Sequence, residues 1–284
     1  METTTTPTPP PAAAERGARR PRKQAVLEVI GKTRITPQLL RVTLGGDGYD
    51  DLNRNEHSDA YVKLLIADPA TGLTPPYDLD ALREEAPEQL PVRRTYTVRR
   101  WDDEARTIDV DFVLHGHGED AGTAARWADE ALPGDRIAMN GAGGGYTPDP
   151  ASTTHLLIGD HAAVPAIAAS LETMDPGATG LVLIHLDEES DVLTLEHPEG
   201  IEVRWVIGER EQLLDAVSAL DLETDGLQVF CHCERGLTKQ LRRVLVKEAG
   251  IPRDQISISA YWALGRIEDQ FQAEKREAIG KIDD

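Results

Sequence analysis

The segment VRRTYTVRR, residues 92–100, sets four arginines around one tyrosine and two threonines. Strand alternation places Arg94, Tyr96 and Val98 on one face and Thr95, Thr97 and Arg99 on the other. An arginine fork suits a pair of phosphate oxygens. A tyrosine face suits a flat conjugated ring, and a threonine hydroxyl can hydrogen-bond a ring nitrogen. Phosphate, flat ring and ring nitrogen together describe a flavin nucleotide. A strand with a solvated basic edge is the competing reading, and spacing alone does not separate the two.

A second segment, VLHGHGEDAGTAARWADEALPGD (113–135), ends a strand, crosses a glycine-rich turn and opens a helix near Thr123. The first N–H groups of a helix lack intrahelical partners and carry the positive end of its dipole. Such an end holds a pyrophosphate without a charged side chain, although a capped helix after a tight turn has the same pattern. FCHCERG (230–236) invites a metal reading. A structural zinc site needs about four ligands, and no second Cys/His pair exists to complete one. Cys231 and Cys233 therefore read as buried thiols at a strand end, with contact to a bound nucleotide as the minority reading. GAGGG (141–145) is not followed by the Gly-Lys-Ser/Thr of a phosphate loop. His155, His185 and His197 are scattered, so no acid–base dyad and no metal site is expected.

These segments sit in two kinds of surroundings. From about 25 to 140, short alternating runs read as strands: 26–36, 39–44, 60–66, 94–101, 107–114 and 135–140. In TIDVDFVL, Ile108, Val110, Phe112 and Leu114 face one way and Asp109 and Asp111 the other. Many short strands separated by turn signals predict an antiparallel β-barrel or sandwich, and 67–92, rich in Pro, Asp and Glu, reads as a long exposed loop. After about 150, strands at 155–158, 181–186, 203–207, 227–231 and 256–260 alternate with helices at 162–174, 209–220 and 237–248. That order predicts a doubly wound α/β domain with a parallel sheet. Pro165 fits only in a first helical turn. The expected division is a disordered tail (1–24), a β-barrel domain (25–148), an α/β nucleotide domain (152–262) and a C-terminal helix or tail (263–284), with GAGGGYTPDP (141–150) as the joint.

Composition bounds the partners. Lys+Arg number 30 and Asp+Glu 50 in 284 residues, a net charge of −20. Nucleic acid and anionic membranes call for basic surfaces, so neither is expected as a partner. Two cysteines make no disulfide framework, and no apolar run approaches the roughly 18 residues of a membrane span. Arg19-Arg20 is followed by no apolar stretch, so an export signal is not expected and the location reads as cytoplasmic.

RTYTVR, then HG…GTAARWA, then GDHAAVPAIAASLE, then SAYWALG form an ordered set. The set resembles the siderophore-interacting protein family, FAD-dependent ferric-siderophore reductases related to ferredoxin–NADP reductases, over about residues 25–266. DAYVKLLI (59–66) resembles a strand of that family as well. The resemblance implies a barrel that binds FAD, followed by an NAD(P)H-binding α/β domain. It implies that Arg94 holds FAD phosphate, Tyr96 packs on the isoalloxazine, Thr97 lies near flavin N5 and Arg99 lies near the ribityl or phosphate chain. His115, Gly116, Gly122, Thr123, Ala124 and Ala125 would form the pyrophosphate turn, with Trp127 behind it. Gly159, Asp160, His161, Ala162, Cys233 and Glu234 would face NADH or NADPH. Lys63, Arg266, Tyr261 and Trp262 would line the substrate side, while 266–280, with Lys275 and Arg276, reads as a solvated helix. Three departures stand out. Gly122-Thr123-Ala124-Ala125 lacks the terminal serine of the family's usual G-P-A-S. Gly159-Asp160-His161-Ala162 replaces G-D-E-T, losing a carboxylate and a hydroxyl. FCHCERG stands where a G-E-like turn is usual.

The implied activity follows from electron counting. A nicotinamide gives two electrons as hydride, Fe(III) accepts one, and a flavin can take a pair and release electrons singly. The expected substrate is a ferric siderophore, and the expected donor is NAD(P)H, with ferredoxin as an alternative. The competing functions are a flavoreductase with another acceptor and a non-catalytic flavin- or siderophore-binding protein, which His161-Ala162 would suit. HLDEESD (185–191), acidic and following a nucleotide-domain strand, points toward a free ribose 2′-hydroxyl and hence NADH.

Overall fold

The computed structural model describes residues 23–114, 122–275 and 277–282. Six strands close the first half into an antiparallel barrel: β1 (Ala25–Thr36), β2 (Leu39–Gly45), β3 (Tyr61–Ile66), β4 (Val92–Asp102), β5 (Thr107–Val113) and β6 (Arg136–Gly143). Their order around the barrel is β1-β2-β5-β4-β3-β6. Alternation fills its interior, as β5 shows. Ile108, Val110 and Phe112 have no exposed surface, while the outward Asp109 and Asp111 accept hydrogen bonds from Thr43 and from the Arg41 fork at 2.6–2.8 Å.

The segment 67–92 is not a plain loop. It holds α1 (Leu79–Glu85), whose N-cap Asp78 accepts the Ala81 N–H at 3.0 Å. No residue of α1 is buried, so there was no apolar stripe to betray the helix. A second helix in this half, α2 (Thr123–Glu130), buries Ala124, Ala125 and Ala128.

The second half is a five-stranded parallel sheet of β7 (Thr154–Gly159), β8 (Thr179–Leu186), β9 (Gly200–Ile207), β10 (Leu227–Glu234) and β11 (Ile256–Trp262), in the order β11-β10-β7-β8-β9. α3 (Val164–Thr173) covers one face. α4 (Glu211–Ser218) and α5 (Arg235–Arg242) cover the other. The strands divide their side chains accordingly. Leu157, Ile184 and Phe230 pack with Ile167 and Leu171 of α3. Leu156, Ile158, Val229 and Cys231 pack with Leu213, Leu237 and Leu241. Pro165 does lie in the first turn of α3. α5 runs on as a wider π-turn over Arg243–Glu248, and the chain leaves it at Gly250, whose φ of +75° suits a residue without a Cβ.

The C-terminal segment corrects a simple expectation. α6 (Glu268–Glu274) is not merely a solvated helix, because its Phe271 is 2% exposed and packs with Ala260 and Ala263. Lys275 is exposed, with its ammonium 4.6 Å from the centre of the Phe271 ring. Arg276 lies outside the described residues. No described helix is long and apolar enough to cross a membrane.

The Phe112 ring joins strand β5 to β4 and α2, with Tyr96 and Trp127 as its neighbours at 4.4 and 5.8 Å. Phe112→Ala is expected to lower unfolding stability by about 3–5 kcal/mol, read from urea denaturation.

Candidate functional site

The site begins where two strands part. β4 pairs with β3 from Val92 to Thr97. With β5 it pairs only from Val98 onward, with a bulge between Val98 and Arg100. Before Val98, Tyr96 and Phe112 keep ring contact without backbone pairing. One edge of β4 is therefore open among the described residues, and strand alternation turns the Thr95 and Thr97 N–H groups toward it.

Arg94 and Tyr96 share the inward face, as alternation requires. Tyr96 packs against the barrel core beside Phe112, and burial lifts its phenol well above the usual range. Arg94 bonds the Arg93 carbonyl at 2.8 Å and Asp269 of α6 at 3.0 Å. On the opposite face, Thr97 neighbours Tyr261, a phenol whose pKa burial also raises. Arg99 forks onto Glu172 of α3. Trp127 lies against Phe112 at a tilt of 48°, so α2 and β4 are tied through one aromatic series. Gly122 caps α2 with no side-chain hydrogen bond to its first turn. Among the described residues, Thr123, Ala124 and Ala125 thus have no side-chain cap on their backbone N–H groups, the donor type an anionic phosphate needs. His115 and Gly116 lie outside the described residues.

The C-terminal ends of β7, β10 and β11 form the facing wall. Asp160 is buried, and desolvation raises its carboxyl pKa against the pull of three donors. Those donors are Ala162 N–H (3.0 Å), Glu234 N–H (2.8 Å) and the Trp262 indole (2.8 Å). Glu234 in turn accepts from Leu237 N–H and Leu264 N–H at 3.0 and 3.1 Å. Both acids brace the crest of the sheet. Gly159 serves packing, since a Cβ there would stand 2.6 Å from Ala163 and 2.7 Å from Ile167. His161 and Ala162 are half-buried at the start of α3. Burial lowers the His161 pKa, and its buried Nε2 has no hydrogen-bond partner among the described residues. Cys231 and Cys233 have no exposed surface, and burial pushes the Cys233 thiol far up. That matches the buried-thiol reading and leaves the Cys233 side chain no surface to offer a nucleotide.

Of the residues expected to line the substrate side, Trp262 is 37% exposed with the Arg210 guanidinium 5.9 Å from its ring. Arg266 is paired with Glu274 at 2.6 Å, and the Lys63 ammonium lies 5.9 Å from the Tyr61 ring. No group of three or more described His, Cys, Asp or Glu residues could hold a metal.

One contributor went unread in the sequence. His232 stacks on Phe230 (4.1 Å, 11°) and meets the edge of Tyr261 at 4.8 Å. With Tyr146 against Phe230 at 4.9 Å, an aromatic series runs from the joint to Tyr261. The only sequence signal was His232 alternating against the two cysteines.

Comparison with known proteins decides the family. Residues 28–146 match the Siderophore-interacting FAD-binding domain and residues 152–265 match Siderophore-interacting protein. The chain belongs to the siderophore-interacting protein family. It is 36% identical over 268 residues to an uncharacterized protein of Mycobacterium tuberculosis, covering 88% of this chain and 94% of that one. It is 30% identical over 259 residues to the ferric vibriobactin reductase ViuB of Vibrio cholerae, covering 88% and 93%. The siderophore-interacting protein SipS from Aeromonas hydrophila superimposes with a TM-score of 0.76 at 28% identity, covering 92% and 99%. A ferredoxin–NADP+ reductase from Neisseria gonorrhoeae, at 11% identity and a TM-score of 0.59 over 84% and 99%, shares the fold.

Two predictions follow from the crest. Asp160→Ala strands three donors, so stability should fall by about 3 kcal/mol, and Trp262 emission should shift to the red. Burial drives the His232 pKa down to about 3, with the Lys275 charge a lesser cause. The folded state thus holds His232 neutral where the unfolded chain binds a proton. Its stabilising contribution is complete above about pH 6.5 and is lost as pH falls toward 3. His232→Phe should flatten the pH dependence of unfolding below about pH 6 by up to ~1.4 kcal/mol per unit.

Proposed function

We propose that the chain is an FAD-dependent oxidoreductase that passes electrons from NAD(P)H to a ferric siderophore and releases Fe(II) for iron acquisition. The open edge of β4 carries this reading. It offers outward amides at Thr95 and Thr97, the Arg94 guanidinium and the Tyr96 ring. The N-terminus of α2, which has no side-chain cap among the described residues, is linked to it through Trp127 and Phe112. Donors for ring acceptors, a cation and an anion-binding helix end are what a flavin dinucleotide requires, so these residues fit FAD. Bound there, FAD would accept an electron pair and deliver single electrons to iron.

The chain's own residues then have separable tasks. Arg94 and the first turn of α2 would neutralise the diphosphate. Thr97, next to Tyr261, would set the polar edge of the ring, and Tyr261 would shield its face from water. Asp160 and Glu234 hold the crest of the sheet, and the half-buried His161 and Ala162 beside them would border the nicotinamide. No proton-transferring side chain is needed for outer electron delivery, consistent with a site whose buried acids are engaged in bracing. The names of the vibriobactin reductase and of an NADPH-dependent ferric-chelate reductase of Escherichia coli, 27% identical over 244 residues, support the same substrate class.

An anaerobic visible spectrum tests the reading. The purified protein, supplied with FAD, should show a flavin spectrum that NADH or NADPH bleaches and a ferric siderophore restores. Bleaching without recovery by iron would indicate a different acceptor, and flavin that neither nucleotide reduces would indicate a binding protein. Tyr96→Ala should lower flavin occupancy at least tenfold, checked by absorbance after desalting.

A further inference from the structure

The open edge of β4 is already occupied, by the chain's own C-terminus. Glu268 accepts the outward Thr95 N–H at 3.2 Å, and Asp269, the next residue, accepts from Arg94 at 3.0 Å. Two neighbouring carboxylates of α6 thus take the amide and the guanidinium assigned above to FAD. Carboxylate and phosphate oxygens compete for the same donors, and two anions cannot share one guanidinium face without repulsion.

α6 is built to leave. Its seven residues are too few for independent helical stability. Beyond those two carboxylates its described anchors are few. Phe271 is the one buried side chain of the helix, and Glu274 binds Arg235 and Arg266. These anchors hold the helix to the nucleotide half, whereas Glu268 and Asp269 reach across to the barrel. Asp269 is 54% exposed although its partner Arg94 is only 13% exposed, so the acid end can swing into water while the arginine stays.

We infer that α6 is an acidic latch over the flavin edge, whose Glu268 and Asp269 must release Thr95 and Arg94 when FAD binds. The inference rests on the assignment of FAD to the β4 edge. FAD loading then carries the cost of opening the latch, and the freed segment 262–275 becomes more mobile in the holoprotein.

The test is FAD titration of the full-length cofactor-free protein by flavin fluorescence, with hydrogen exchange of residues 262–275 as a second readout. E268Q/D269N should bind FAD about tenfold more tightly, the scale of one lost charge-assisted hydrogen bond. F271A removes an anchor without changing charge and should also tighten binding. FAD should accelerate exchange across 262–275 in the unsubstituted protein. Equal affinity in all three proteins, or exchange that FAD leaves unchanged or slows, overturns the latch while leaving the flavin site standing. Tightening in E268Q/D269N alone, with exchange unmoved by FAD, also overturns it, because charge then suffices. Failure of every protein to take up FAD overturns the site assignment and the latch together. The surface pair E268Q/D269N keeps the test decisive if F271A does not fold.

Discussion

A strand that leaves its neighbour must find acceptors for the amides it turns outward, since an unpaired backbone donor away from water is costly. β4 does this at the bulge between Val98 and Arg100. Before the bulge β3 is its one paired strand among the described residues, and its other side turns amides outward, the Thr95 N–H onto Glu268. The barrel interior permits the separation because Tyr96 and Phe112 keep the two strands packed after their hydrogen bonds stop. The opening is therefore a backbone feature stabilised by an aromatic contact.

The two halves of the molecule meet around that opening through polar contacts. Arg99 reaches Glu172, and Ser58 and Thr173 share a hydrogen bond at 3.1 Å. Buried Asp191 accepts from Thr36 Oγ1 and Gln38 N–H at 2.6 and 2.8 Å. Asp59 accepts from Gly145 and Tyr146 N–H, both at 2.8 Å, fixing the joint. These bonds bring the crest braced by Asp160 and Glu234 up to the β4 edge.

Charge pairing gives the net charge of −20 a local meaning. Arg94, Arg99 and Arg266 each bond a carboxylate from α3 or α6. The cations around the opening are positioned by acids of the second half. An anionic ligand that reaches them meets oriented guanidinium groups but must displace or share their partners.

Much of this was legible from residue order. Period-2 runs marked the barrel strands, 3.6-residue spacing marked α3 to α5, and the four ordered motifs singled out Arg94, Tyr96, Thr97 and Tyr261. Such features are written into local pattern, because side-chain periodicity reports which face of an element is buried. α1 escaped, having no buried face to report. Asp160 was visible as a site residue, but its bracing of three strand ends was not, since its donors come from residues up to 102 positions away. The same holds for His232 beneath Tyr261 and for α6 against β4. Residue types announced a flavin-like edge; which groups fill, brace and cover that edge depended on chain segments that become neighbours only when barrel and sheet pack together.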